Sequence, residues 1–79
     1  MRIDKYLKVS RLIKRRTLAN EACEGGRVTI NGRTAKPGTE VKPGDIIEIR
    51  FGNNLTKVKV LSTAEHVTKE ESREMYTIL

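Results

Sequence analysis

The chain has 79 residues, 37% of them apolar, with 16 Lys and Arg against 10 Asp and Glu for a net charge of +6. A chain this short folds as one small domain burying about 60% of the surface its unfolded form exposes, which leaves no room for a separate catalytic domain. The single cysteine excludes a disulfide framework and a Cys-based zinc site, no apolar run approaches the roughly 18 residues of a membrane span, and Met1-Arg2-Ile3-Asp4-Lys5 lacks the apolar stretch of a signal peptide. These properties point to a reduced, cytoplasmic, basic binder.

The positive charge is segregated. Residues 1–36 carry ten basic residues against Asp4, Glu21 and Glu24, a net +7, and +6 of that lies within the first sixteen residues. Clustering of this kind suits a polyanionic partner, because each neutralised phosphate releases condensed counterions.

Taken in chain order, Ile3, Tyr6 and Leu7 follow the i, i+3, i+4 spacing of one helical face. Arg2, Lys5, Lys8 and Arg11 step by three along the opposite side, so the segment reads as a short amphipathic helix with a basic stripe. The phase is lost at Leu12-Ile13, and Lys14-Arg15-Arg16 reads as a tight corner. Thr17 is the expected N-cap of a second helix carrying the pairs Leu18/Ala22 and Ala19/Cys23. Gly25-Gly26 ends that helix.

The pattern then switches to period two. Val28 and Ile30 alternate with Arg27 and Thr29, and Asn31-Gly32 signals a tight hairpin returning over Arg33 to Lys36. Pro37-Gly38 opens a loop, Val41 drops back toward the core, and Pro43-Gly44-Asp45 turns into a strand over Ile46 to Phe51. Gly52-Asn53-Asn54 turns again, and Leu55 to Leu61 is the next strand. The hydrophobic signal fades after Ser62, although Thr68-Lys69-Glu70-Glu71 fits a capping box for a short helix to about Tyr76. The layout predicts an α+β fold: two N-terminal helices packed on a small antiparallel sheet, then a short C-terminal helix or tail. The domain spans 1–61 and the tail 62–79.

No catalytic constellation is present, so no enzymatic activity and no cofactor are expected. His66 stands alone in a polar stretch and has no companions for a metal or a dyad. Cys23 is expected to be a buried thiol acting as a small hydrophobe. Glu70, Glu71 and Glu74 read as a solvated face. Asp4, the one acid inside the basic stripe, favours the start of its helix through the macrodipole, and its second reading is to hold a neighbouring arginine for a ligand. Aromatic residues make up 4% of the chain, and both Tyr6 and Phe51 are expected in the core, which argues against a base-stacking platform. What remains is a helical basic surface reading phosphate and shape. Arg15 and Arg16 at the corner fork onto phosphate oxygens as lysine does not, and the first amides of the second helix add an anion contact. The charge pattern alone serves RNA and DNA equally.

Four stretches carry a resemblance: Arg2-Ile3-Asp4-Lys5-Tyr6-Leu7, Arg15-Arg16-Thr17-Leu18-Ala19, Gly26-Arg27-Val28-Thr29-Ile30-Asn31-Gly32 and Val41-Lys42-Pro43-Gly44-Asp45. In order and spacing they resemble the S4-type, or αL, RNA-binding domain over about residues 1–50. In that family the two helices and the turn between them form the RNA surface, which implies Arg2, Lys5, Lys8, Arg11, Lys14, Arg15 and Arg16 as binding residues, with Asp4 orienting and Thr17 capping. With no catalytic domain beside it, the whole chain is similar to the stand-alone members that serve ribosome-associated quality control in Gram-positive bacteria. The features are Lys8 through Ala19, Lys69-Glu70-Glu71 and Met75-Tyr76-Thr77-Ile78-Leu79. It is also similar to the ribosome-associated heat-shock relative of Gram-negative bacteria, whose longer basic C-terminal extension has no counterpart here.

The resemblance implies binding to rRNA of the large ribosomal subunit and to peptidyl-tRNA, in support of an alanine-tailing factor that recruits alanyl-tRNA. It implies a monomer off the ribosome and no membrane partner. A generic structured-RNA module in ribosome assembly or tRNA binding is the alternative. An adaptor for anionic membrane is the third reading, disfavoured because Ile3, Tyr6 and Leu7 are needed for the core. The chain stops on apolar Ile78-Leu79, so a few polar residues are expected beyond it.

Overall fold

A computed structural model describes residues 1–79. The apolar face of the first segment forms helix α1, Ile3–Val9, with Ile3, Tyr6 and Leu7 fully buried. Its N-terminal amides are satisfied from outside the helix. The Ile3 and Asp4 N–H groups donate to the carbonyls of Thr39 and Pro37, at 2.8 and 3.2 Å. The loop at 37–39 is thereby a backbone cap for α1. Helix α2, Arg16–Glu24, packs against α1 and buries Ala19, Ala22 and Cys23.

Helix α2 ends as Gly25-Gly26 suggested. Gly26 adopts φ +73°, the Arg27 N–H donates to the Ala22 carbonyl, and the Gly26 N–H donates to that of Cys23, the paired bonds of a Schellman motif. The end of α1 is different. Arg11 occupies the left-handed region at φ 64°, where glycine would be the ordinary choice.

The strands form one antiparallel five-stranded sheet of order β2-β1-β3-β4-β5. Strands β1 (Val28–Ile30) and β2 (Arg33–Thr34) are joined by Asn31 at φ 51° and Gly32 at φ 83°, both in the left-handed region a two-residue hairpin of this kind requires. Strand β2 is shorter than expected: Ala35 turns into the core, and the Lys36 N–H bonds to the Thr39 hydroxyl to begin the next loop. Strand β1 also pairs with β3 (Ile46–Phe51), so the 37–45 excursion crosses over to bring β3 alongside. The Asn31 side chain fastens that excursion, accepting from the Ile46 N–H at 2.9 Å and donating to Asp45 at 3.0 Å.

Strand β3 pairs over its full length with β4 (Asn54–Val60). One face of the sheet contributes Val28, Ile30, Ile47, Ile49, Val58 and Val60 to the core beneath the helices. Each such side chain contributes about 1.5–3 kcal/mol by leaving water. Phe51 departs from the expectation of burial. It shares the inward register of Ile49 but lies at the open end of the β3–β4 hairpin, paired with Asn54, and is 42% exposed.

The segment after Ser62 is more structured than its hydropathy suggests. Thr68 caps helix α3, Lys69–Ser72, and the reciprocal bonds with Glu71 are both made. A 3₁₀ turn follows at Arg73–Met75, and the chain then enters strand β5, Tyr76–Ile78, which pairs with β4. The helix therefore stops at Ser72, short of Tyr76, because sheet pairing claims the last residues. Met75 is fully buried, and its carbonyl accepts the Tyr6 hydroxyl at 2.7 Å. This bond ties the end of the chain to its first helix.

Candidate nucleic-acid interface

Asp4 lies in the first turn of α1 with its side chain only 4% exposed, a costly position for a carboxylate unless it is well partnered. Four contacts meet that cost. The Lys5 N–H donates to Oδ1 at 2.8 Å, and Arg16 Nη2 donates to the same oxygen at 3.3 Å. Arg2 approaches Oδ1 through Nε and Oδ2 through Nη2, both at 3.3 Å. Burial by itself raises the Asp4 pKa. The Arg16 and Lys5 hydrogen bonds, with the charges of Arg16 and Arg2, outweigh it and hold the carboxyl below its ordinary 3.8. Asp4 thus stays ionised and ties together two arginines twelve and two residues away.

Both arginines keep free edges. Their side chains are 55% and 48% exposed for Arg2 and Arg16, so Asp4 fixes each guanidinium while leaving donors for a ligand. The Arg2 guanidinium lies over Gly38, where an added Cβ would stand 3.9 Å from it. The loop that caps α1 therefore also floors Arg2.

Arg16 starts α2, and this corrects the placement of the cap. Arg15, with φ −124° and ψ 140°, is the N-cap residue, and Thr17 lies inside the first turn with no capping bond. Arginine has no side-chain acceptor, so the opening amides of α2 receive no side-chain cap. The first turn also contains no acid, although a helix N-terminus favours negative charge. Arg15, Arg16 and the amide end of α2 thus concentrate positive potential beside the Asp4 clamp, an arrangement an incoming phosphate would relieve.

The remaining basic residues fall into a second group. Lys5 is half-buried, and its Nζ pairs with Glu65 at 3.3 Å. Beyond it, Lys8, Arg11 and Lys14 line a cleft whose opposite wall is formed by Glu65, His66, Val67 and Lys69. The seven basic residues named from the sequence are thus divided: Arg2 and Arg16 are held on Asp4 with Arg15 at the adjoining start of α2, and Lys8, Arg11 and Lys14 gather around the cleft. Lys5 stands between. The only local signal in the second wall of the cleft is the Thr68 capping box; that residues 65–69 face Lys8, Arg11 and Lys14 is decided by tertiary contacts.

Elsewhere, two buried groups are shifted upward. Cys23 is buried on α2, where desolvation, aided by the charges of Asp4 and Glu24, pushes its thiol up to about 11. Tyr6 is likewise raised, by burial first and by Tyr76 second. No group of three or more His, Cys, Asp or Glu side chains is placed to hold a metal ion, and no helix is long and apolar enough to cross a membrane.

The chain has relatives among known proteins. Residues 1–47 match the model of the S4 domain. The chain is 60% identical over 79 residues to the RQC P-site tRNA stabilizing factor of Listeria innocua, covering 100% of this chain and 86% of that protein. It is 56% identical to the factor of the same name from Bacillus subtilis, covering 100% and 92%. Among solved structures, Heat Shock Protein 15 of Vibrio cholerae superposes with a TM-score of 0.91 at 31% identity, covering 100% of this chain and 81% of that one.

Proposed function

Since the chain belongs to the S4 domain family and groups with the RQC P-site tRNA stabilizing factors, we propose that it is a non-enzymatic RNA-binding factor of ribosome-associated quality control. In this reading it binds rRNA and peptidyl-tRNA on the large ribosomal subunit in the cytoplasm. There it supports a factor that recruits alanyl-tRNA and extends stalled chains with a C-terminal alanine tail. Arg2, Lys5, Lys8, Arg11, Lys14, Arg15 and Arg16 carry the contacts.

The observation that carries the reading is the Asp4 clamp. A nearly buried carboxylate that holds two half-exposed arginines costs desolvation and removes two side chains' freedom, which is reasonable where their donors must be pre-aimed. Fork-shaped donors held in this way suit phosphate oxygens. The amides at the start of α2, without a side-chain cap, add a further anion contact.

Sucrose-gradient sedimentation of tagged protein, with the fractions probed for tRNA, tests the reading. Wild-type protein is expected in large-subunit fractions that contain peptidyl-tRNA, and Arg16→Ala is expected to shift toward the top while keeping its fold. Binding of purified protein to tRNA should follow a log–log salt slope of about −3.5 to −4.5 if five phosphates are neutralised. Wild-type protein found only at the top of the gradient would reject the ribosomal role. Retained sedimentation of Arg16→Ala would move the site off the corner.

A further inference from the structure

The cleft beyond Lys5 has a volume of about 480 Å³. That lies within the roughly 300–1,000 Å³ typical of sites that enclose a small molecule, and is far more than a lone phosphate fills. Lys8, Arg11, Lys14 and Lys69 face it, and none of the four takes part in a salt bridge. Its one acid, Glu65, is already held by Lys5. Four uncompensated cations around a concave surface repel one another in the free protein, and a bound anion removes that repulsion.

Two further features narrow the ligand. Val9 and Val67 contribute apolar lining and are packed against the hydrophobic core, so the cleft offers an apolar surface beside the cations. Arg11 reaches the cleft from a left-handed backbone, φ 64°, a conformation that disfavours every residue but glycine and, to a lesser degree, Asn and Asp. Lys69 and His66 come from the segment outside the 1–47 S4 match. The second wall is therefore an addition to the motif.

We infer that this cleft takes one unpaired nucleotide of the bound RNA, with its phosphate on Lys8, Arg11, Lys14 and Lys69 and its base against Val9 and Val67. The inference rests on the RNA-binding reading above and adds to it a subsite on the far side of Lys5 from Asp4. An unstacked nucleotide, splayed from a loop, enters a concave site that the convex face of a duplex does not.

The test uses full-length protein and two fluorescein-labelled RNAs with the same stem, one closed by a flexible loop and one a blunt duplex. Lys69→Ala is expected to weaken binding of the loop RNA roughly fivefold at about 0.15 M salt and to flatten its log–log salt slope by about 0.7, with a smaller effect on the duplex. Arg11→Gly is expected to melt at a higher temperature than wild type and yet bind the loop RNA less tightly, a combination that a merely structural arginine would not produce. Lys42→Ala, on the loop before β3, is the control and should bind as wild type. If Arg16→Ala is impaired but Lys69→Ala and Arg11→Gly bind normally, the cleft subsite is wrong and the RNA-binding reading stands. If wild-type protein binds neither RNA, the RNA-binding reading itself has failed. Equal losses on loop and duplex would overturn the unpaired-nucleotide assignment in favour of a helical backbone phosphate.

Discussion

Replacing Asp4 with asparagine removes a charge and leaves the shape almost unchanged. The Lys5 N–H, Arg16 Nη2 and Arg2 Nε keep an oxygen at Oδ1, but that oxygen is now neutral, and the amide NH2 in place of Oδ2 presents donors to Arg2 Nη2. Both arginines are about half exposed and can return to water, so each lost pair is worth no more than about 0.2–1 kcal/mol. Loss of negative charge from the first turn of α1 adds about 0.3–1 kcal/mol. Against this, the asparagine has no carboxylate to desolvate, which brings the net cost to about 1–2 kcal/mol. In a domain of this size that is a fall of roughly 4–16 °C in Tm. The pH dependence separates charge from packing. The folded-state pKa of Asp4 is lowered, so its stabilisation is fully present above the ordinary value of 3.8 and is lost as pH falls through the folded value. Asparagine does not titrate. Thermal melts followed by circular dichroism should therefore show a gap between wild type and Asp4→Asn at about pH 7 that closes in acid. A gap of the same size at about pH 2 would refute the electrostatic account and make Asp4 a packing residue.

Further outcomes concern the core. Tyr6→Phe removes the bond to the Met75 carbonyl, but that carbonyl also accepts from the Leu61 and Ser62 N–H groups and is not left unpaired. The expected loss is about 0.5–1.5 kcal/mol by urea denaturation, and a loss of about 3 kcal/mol or more would mean that the tyrosine supports more than this bond. The Cys23 thiol, 3% exposed and pushed up to about 11, should resist iodoacetamide in native buffer and react fully once unfolded. Rapid labelling of native protein would show that α2 opens readily. Because the unfolded thiol ionises near its ordinary 9.0, stability should also decline as pH rises above that value.

What the sequence made legible was whatever neighbouring residues decide. The Asn31-Gly32 hairpin, the Gly26 helix end, the buried face Ile3-Tyr6-Leu7 and the Thr68 capping box each depend on spacing within a few positions, and each appears as read. The errors share a cause in tertiary context. Thr17 has the right chemistry for a cap, but α2 begins earlier, at Arg16, whose guanidinium is bonded to Asp4 of another helix. Phe51 has a core residue's chemistry and register, yet the hairpin carries it past the last buried pair. The division of the basic stripe into two groups was equally hidden. The Lys5–Glu65 pair spans sixty residues, a separation that no local pattern reports. Asp4 was visible as an oddity, a lone acid among cations. That its carboxylate gathers Arg2 and Arg16 required the fold.

The bond between Tyr6 and Met75 closes a loop of 69 residues and joins the first helix to the last strand pairing. Few contacts in a chain of this length could be less local, and non-local closure slows the search for the native state. The order of assembly follows. Strands β3 and β4, adjacent through a short turn, can pair early, whereas the wall formed by Glu65 to Lys69 waits for the C-terminal segment to be made and to dock. During synthesis the basic helices would therefore emerge first, with their charges exposed and their core partner Met75 still missing. A newborn chain of this protein therefore carries its positive charge before the residue that completes its core has been added.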